Sequence, residues 1–352
     1  MRQQIHLTTS EDGVRLAWAR CGSGPPLVKA SNWLTHLKHD WDSPAWRHWM
    51  EFLGANYALV RFDERGCGMS QRAVADISQR HWLPDLECVV EAARIRSPMV
   101  LLGISQGAVT AVRYAVAHPE RVSRLILYGG YARGWKLRGD DQKDHYSAVM
   151  QMIRLGWGKD NPVFRQAFTG RFIPEGSHEQ LDWFNELCRR TAEPEMAVRL
   201  LDARGDVDIS GILGQVRVPT LVVHGRRDEV IPFSEGQYLA SNIPDAGFIE
   251  LDSCNHILLR DEPAWAEFRR AVTEFTGVGE CDGRADALSN LTPRERQILG
   301  HLGRGLHNAD IADSLHISEK TVRNHLSHLY RKLGVHSRTQ ALVIAHGGEP
   351  KR

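Results

Sequence analysis

Apolar positions along this chain follow two rhythms. Over residues 1–276, short compact apolar runs alternate with stretches of helical period. Residues 5–8, 15–21 and 27–30 read as strands, separated by the turn signals Glu11-Asp12-Gly13 and Gly22-Ser23-Gly24-Pro25. A tryptophan-rich segment follows, with a helix predicted over 44–53, a compact strand over 58–62 and a helical period over 83–93. The apolar run from Met99 stops at Gly103-Ile104-Ser105-Gln106-Gly107 and gives way to a helical pattern through Val109, Val112 and Val116. Residues 122–128 form another buried strand. The rhythm then breaks over about 131–213, which is polar and aromatic with helical pieces at 146–155 and 180–190, and which reads as a helical lid inserted over a sheet. It resumes with strands at 220–224 and 248–251 and helices at 234–241 and 263–275. Strands alternating with helices predict an α/β domain whose parallel sheet is covered on both faces.

Residues 277–287 are short, polar and glycine-bearing, and read as a linker. From 288 to 352 the pattern is helical throughout. Thr292 before Pro293, with Glu295 three residues after Thr292, is a capped helix start. A second helix fits Asn308–Leu315, with Asn308 as its cap and Ile311, Ala312 and Leu315 as its stripe. A third starts after Ser318 and ends at Gly334; a fourth covers 339–345. In the third, Val322, Leu326, Leu329 and Leu333 recur on one face, while Lys320, Arg323, Asn324, Ser327 and Arg331 fall on the other.

Charge sharpens this division. The chain of 352 residues carries a net +1, yet residues 288–352 hold ten Lys/Arg against five acids, a +5 balance that leaves −4 for the rest. A basic tail on an acidic body points to a polyanionic partner for the tail. No apolar run approaches the ~20 residues of a membrane span, and residues 1–20 lack a signal-peptide pattern. A cytoplasmic protein with no membrane partner is expected. The six cysteines, Cys21, Cys67, Cys88, Cys188, Cys254 and Cys281, form no C-x-x-C pair, so they read as free thiols rather than a zinc site or a disulfide framework. No metal or cofactor is called for.

Candidate chemistry centres on Ser105. A strand, a sharp turn and a helix with serine on the turn make a nucleophile elbow, where Gly103 and Gly107 avoid collisions. G-x-S-x-G by itself is short enough to recur by chance, so its context decides. A serine needs a base, and the base needs an orienting acid. The strand at 220–224 leads into Gly225-Arg226-Arg227-Asp228, and the strand at 248–251 into Asp252-Ser253-Cys254-Asn255-His256. Ser105, Asp228 and His256 therefore occur in the expected chain order at strand ends. Asp252 is the competing acid, but it lies only four residues before His256 on the same loop. Trp33, Trp41, Trp46 and Trp49 read mostly as packing, with one or two joining Trp157 and Phe168 around an apolar pocket.

Residues 1–276 resemble an α/β-hydrolase: the elbow, the D-x-R-G-x-G-x-S segment carried by Asp63, Arg65, Gly66, Gly68 and Ser70, and G-x-x-D before a late histidine carry the likeness. The resemblance implies an eight-stranded sheet and an acyl-enzyme mechanism in which His256 takes the proton of Ser105 and Asp228 orients His256. It also implies an oxyanion hole formed by the backbone N–H of Gln106 and one from the loop after the third strand. That loop departs from the family's usual His-Gly, reading Ser31-Asn32-Trp33, and places Trp33 at the second donor position. Residues 288–347 resemble the LuxR-type (GerE-type) helix-turn-helix domain through Leu291-Thr292-Pro293-Arg294-Glu295, Asn308 with Ile311-Ala312, Ser318 to Val322, His325, Lys332 to Val335 and Ser337-Arg338. By that resemblance Arg323, Asn324 and Ser327 face bases, Lys320, His325 and Lys332 contact the DNA backbone, and the domain binds promoter DNA as a homodimer.

Two functional readings follow. In the first, the chain is a transcription regulator whose hydrolase-like domain senses, and slowly cleaves or merely binds, a small molecule. In the second it is a serine hydrolase of esters, lactones or amides with an accessory DNA-binding tail. The first is favoured, because a specific DNA reader has little use except to place its partner domain on a promoter.

Overall fold

The computed structural model describes residues 2–159, 162–278, 291–315, 317–333, 335, 337–338 and 341–342. These divide after Thr276 into two units. The first is built on strands β1 (Gln4–Thr9), β2 (Arg15–Cys21), β3 (Pro26–Lys29), β4 (Ala58–Phe62), β5 (Met99–Ile104), β6 (Val122–Tyr128), β7 (Thr220–Gly225) and β8 (Gly247–Leu251). They form one eight-stranded sheet in the order β1-β2-β4-β3-β5-β6-β7-β8.

The expectation of a parallel sheet holds from β4 through β3 to β8 and fails at one edge. There β1 pairs antiparallel with β2, and β2 antiparallel with β4. The physical reason is two short turns. Glu11-Asp12-Gly13, with Gly13 at φ +84°, returns β1 as a hairpin with β2. Residues 22–25, with Gly22 at φ +76° and Gly24 at φ +116°, reverse the chain between β2 and β3, whose direction β4 shares. The central strands behave as a sheet covered on both sides requires. All of β5 and β7 is buried.

Helices α1 (Leu37–Trp41), α2 (Arg47–Asn56), α3 (Trp82–Ala92) and α4 (Gly107–Ala117) precede the lid, and α9 (Phe233–Asn242) and α10 (Pro263–Thr276) follow it. The second helix begins later than residue 44 because Ser43 Oγ accepts from the N–H groups of Ala45 and Trp46 in a preceding turn. Trp49 of α2 packs on Tyr128 at 5.3 Å and on Phe268 of α10 at 4.7 Å, a core role.

The D-x-R-G-x-G-x-S segment after β4 is a structural clasp. Asp63 Oδ2 accepts from the N–H groups of Leu37 and Met69, and Ser70 Oγ donates to the Asp63 carbonyl while accepting from Ala17 N–H. The fully buried Arg65 makes two hydrogen bonds to Asp85 and two to Asp12. Those contacts hold the Asp12 carboxyl well below the usual range. A charge so paired tolerates burial that an isolated one does not.

Between β6 and β7 lie α5 (Asp140–Gly156), α6 (Pro162–Phe168), α7 (His178–Thr191) and α8 (Pro194–Gly205), with an isolated bridge between Arg133 and Asp208 as the only strand-like pairing among the described residues of this segment. This helical insertion is anchored where it leaves the sheet. Buried Glu235 accepts from Ala132 N–H and Arg133 N–H and pairs with the Arg133 guanidinium at 2.6 Å.

The second unit contains α11 (Pro293–Gly303), α12 (Asn308–Leu315) and α13 (Glu319–Leu333) around a core of Leu291, Ile298, Leu302, Ile311, Val322, Leu326 and Leu329. Thr292 and Glu295 form the expected capping box. Asn308 does not cap α12 but begins it; its Oδ1 accepts from Arg338 at 3.0 Å, while Asp310 accepts from His307 N–H at 3.1 Å. Most of the predicted linker, and of the fourth helix over 339–345, lies outside the described residues. So does Cys281; the other five cysteines are free thiols.

Candidate active site and nucleic-acid interface

The turn after β5 holds Ser105 at φ +53°, a left-handed conformation that a residue with a side chain adopts only under constraint. Three neighbours impose it. Ser105 N–H donates to the Tyr128 carbonyl at 2.9 Å. A Cβ on Gly103 would stand 2.6 Å from Ala108 Cα, and one on Gly107 would stand 3.0 Å from the Ala30 carbonyl oxygen. Strand β5 and helix α4 therefore cross too closely for a side chain at Gly103, Gly107 packs tightly on the loop after β3, and the serine is lifted off the sheet.

Asp228 and His256 leave the ends of β7 and β8, and their side chains meet: Asp228 Oδ2 accepts from His256 Nδ1 at 2.6 Å. The other oxygen, Oδ1, accepts from Val230 N–H at 2.8 Å and Ile231 N–H at 3.0 Å. Burial pushes the Asp228 carboxyl upward, but the charge and hydrogen bond of His256 and the attraction of His224 outweigh it and hold the group below its ordinary value. The competing Asp252 is exposed and pairs with Arg227 at 3.2 Å. Gly129, at φ +54°, is glycine for a reason tied to this pair, since a Cβ there would stand 3.2 Å from His256 Cε1 and 3.5 Å from Asp228 Oδ2.

The His256 loop is fixed from outside the pair. Glu262 accepts from Ser253 Oγ at 2.6 Å and from Asn255 Nδ2, and Asn255 Oδ1 accepts from Glu175 N–H at 3.1 Å. His48 Nε2 and Trp49 Nε1 both donate to the Leu258 carbonyl. Burial lowers the His48 imidazole to about 4, which keeps it neutral.

Ser105, Gln106, Trp33 and His256 line one cavity. No hydrogen bond joins Ser105 Oγ to His256 among the described residues; such bonds are often long until substrate is present. The backbone N–H groups of Gln106 and Trp33 likewise meet no protein acceptor among the described residues. The loop that substitutes for His-Gly has its own support: Lys29 Nζ donates to Asn32 Oδ1, and Asn32 Nδ2 donates to the Trp33 carbonyl at 3.0 Å. Sequence reasoning missed Arg204 of α8. Its guanidinium donates to Gln106 Oε1 at 3.0 Å and pairs with buried Glu64, and it lies 5.7 Å over the Trp33 ring. One lid arginine thus touches both residues expected at the oxyanion hole, and no spacing in the chain announces it.

Aromatic side chains line the cavity. Trp33, Trp46 and Phe168 line it as expected, whereas Trp157 stands behind Trp33, stacked at 6.0 Å, and donates its indole N–H to the Ala192 carbonyl.

On α13 the apolar face is buried through Val322, Leu326 and Leu329. Lys320, Arg323, Asn324 and Ser327 are exposed and His325 is half-buried. Ser327 Oγ donates to the Arg323 carbonyl at 3.0 Å. The side chains of Arg331, Lys332 and Leu333 lie outside the described residues. Exposed cations mixed with Asn and Ser on a single helix face suit phosphates and base edges.

Comparison with known proteins matches both units separately. The family model described as bacterial regulatory proteins, luxR family, matches residues 289–345, and the serine aminopeptidase S33 model matches residues 47–155, a span that holds Ser105 but neither Asp228 nor His256. A 2-hydroxy-6-oxononadienedioate/2-hydroxy-6-oxononatrienedioate hydrolase of Pseudomonas putida is 26% identical over 77% of this chain and 91% of its own length. The DNA-binding transcriptional activator DevR/DosR of Mycobacterium tuberculosis is 33% identical over 46% of this chain and 65% of its own. Among solved structures, the enol-lactonase of Burkholderia xenovorans superposes with a TM-score of 0.62 at 21% identity, over 77% of this chain and all of that one (100%).

Proposed function

The chain joins an α/β-hydrolase-fold domain to a DNA-binding domain of the LuxR family, and from that pairing we propose a transcriptional regulator that senses a small-molecule ligand through Ser105, Asp228 and His256. The observation that carries the reading is the coexistence, in one chain, of a constrained serine beside an aromatic-lined cavity and an exposed face of cations, Asn and Ser on α13. In the hydrolase-fold domain His256 accepts the Ser105 proton and Asp228 holds the imidazole tautomer. The backbone N–H groups of Gln106 and Trp33 receive the oxyanion. In the tail Arg323, Asn324 and Ser327 read bases, Lys320, His325 and Lys332 hold phosphates, and a homodimer spans two half-sites about one helical turn or a multiple of it apart.

Cleavage is a part of this reading that separates from sensing. The test measures release of 4-nitrophenol from short 4-nitrophenyl esters and binding to an operator selected from random DNA, for the native chain and for Ser105→Ala. Hydrolysis lost with ligand-dependent DNA binding intact makes the domain a receptor with residual chemistry; loss of both makes cleavage part of the signal. Failure to select any DNA sequence, at any salt concentration, defeats the regulator reading, because specific binding persists above the salt-sensitive background.

A further inference from the structure

The cavity beside Ser105 has an unbalanced wall. Three arginines line it, Arg138, Arg171 and Arg204, and no aspartate or glutamate does. Arg204 is accounted for by Glu64. The other two have no carboxylate partner among the described residues. Arg171 spends one Nη2 bond on the Glu229 backbone carbonyl at 3.0 Å. Arg138 has less: its Nε and Nη1 are buried without any hydrogen-bond acceptor, while its guanidinium lies 5.0 Å over the Tyr131 ring. Tyr131, Tyr146, Trp135 and Phe172 make the rest of that wall aromatic.

A half-buried guanidinium among aromatic rings, with two enclosed donors unmet and no counter-charge beside it, is costly. Ring stacking alone leaves the in-plane donors unsatisfied. What completes this cationic wall is an anion at the Nη2 edge of Arg138, the one nitrogen of the group that is neither enclosed nor bonded, and a carboxylate accepts a charge-assisted bond there. Resting on the reading of the cavity as the ligand site, we propose that the ligand is an organic carboxylate whose apolar body lies among the rings and whose acid group is held by Arg138, with Arg171 at its flank. The group that reacts at or rests on Ser105 is then a second carbonyl of the same molecule. Arg138 is a specificity residue here, with no part in the proton transfers at Ser105.

The experiment compares mono-4-nitrophenyl adipate with 4-nitrophenyl hexanoate, an acid and a neutral ester of the same acyl length, on the full chain and on Arg138→Gln. Hydrogen bonds to charged groups convert to a preference for the acid of roughly 10- to 150-fold in kcat/KM for the native chain. Arg138→Gln abolishes that preference and leaves the neutral ester close to its native rate, which also reports an intact fold. Equal or reversed preference with turnover present overturns the carboxylate site while the hydrolase chemistry stands. If neither ester turns over, 4-phenylbutyrate and 4-phenylbutyramide are titrated against the fluorescence of the cavity tryptophans. Tighter binding of the acid, lost in Arg138→Gln, then supports the site without catalysis; equal binding, or none, overturns it.

Discussion

The two domains hold their candidate functional groups in opposite ways. In the hydrolase-fold domain the groups around Ser105 are positioned before any ligand arrives: Asp228 accepts three hydrogen bonds, the His256 loop is tied to Glu262, and the Gln106 side chain is held by Arg204. On α13, by contrast, Lys320, Arg323 and Asn324 stand exposed on a helix whose other face is core. Chemistry on a substrate requires preorganised groups in a low-dielectric site, whereas reading DNA requires long side chains free to meet a partner that supplies the order. The same contrast governs how much damage one substitution does. It is large where a group is held by several partners and small where it is one of several independent contacts.

The largest effect falls on Asp228. Asp228→Asn keeps the size but reverses the hydrogen-bonding sense toward His256 Nδ1, and ester turnover falls by about ten-thousandfold while operator affinity stays at its native value. A loss of only a few-fold, read by 4-nitrophenol release, breaks the contrast at its strongest point.

A pH dependence comes next, through His48 beneath the His256 loop. Burial lowers its imidazole from 6.5 to about 4, with Arg260 acting in the same direction and the Leu258 carbonyl, Glu51 and Asp261 opposing. Below pH 6.5 the unfolded chain therefore takes up a proton that the folded chain refuses, so this contribution to stability is lost as pH falls toward 4. Between pH 7.5 and 5 the loss is about 2 kcal/mol. His48→Gln retains a donor to Leu258 and removes this share of the slope, as measured by urea midpoints at the two pH values; an unchanged slope contradicts the assignment.

On α13 each substitution removes one contact of several. Asn324→Ala weakens operator binding by roughly 5- to 150-fold and relaxes preference at one base pair. Lys320→Ala weakens all sequences alike and reduces the slope of log affinity against log salt by about one. If Lys320→Ala changed base preference instead, the division of α13 into reading and anchoring positions would be wrong.

The two regions also differ in how far their sequences disclose them. The tail is legible because capping residues and a helical stripe are local: Thr292 with Glu295, and Val322 with Leu326 and Leu329, need no knowledge of the fold. Ser105 is legible for the same reason, as a strand, turn and helix in succession. The pairing of Asp228 with His256 needed strand order as well, and the chain supplied it through the apolar runs that end just before each residue. Arg138 and Arg204 were not readable. They belong to the lid segment, where no periodic signal distinguishes an arginine that enters a cavity from one that stays in solvent. The antiparallel edge is less legible for a different reason: the alternation of strands and helices that dominates the domain points to parallel pairing, and only the short turns at Gly13 and at residues 22–25 carry the reversal.

Whether the cavity and the DNA-reading face are coupled is the central question, and covalent occupancy of Ser105 answers it most directly. Diisopropyl fluorophosphate labels an activated serine and fills the space above it, and operator affinity is measured for the labelled and unlabelled full chain. The account predicts labelling of the native chain, none of Ser105→Ala, and a shift in operator affinity of about 5- to 150-fold in the labelled protein alone. Complete labelling with operator affinity unchanged would contradict it.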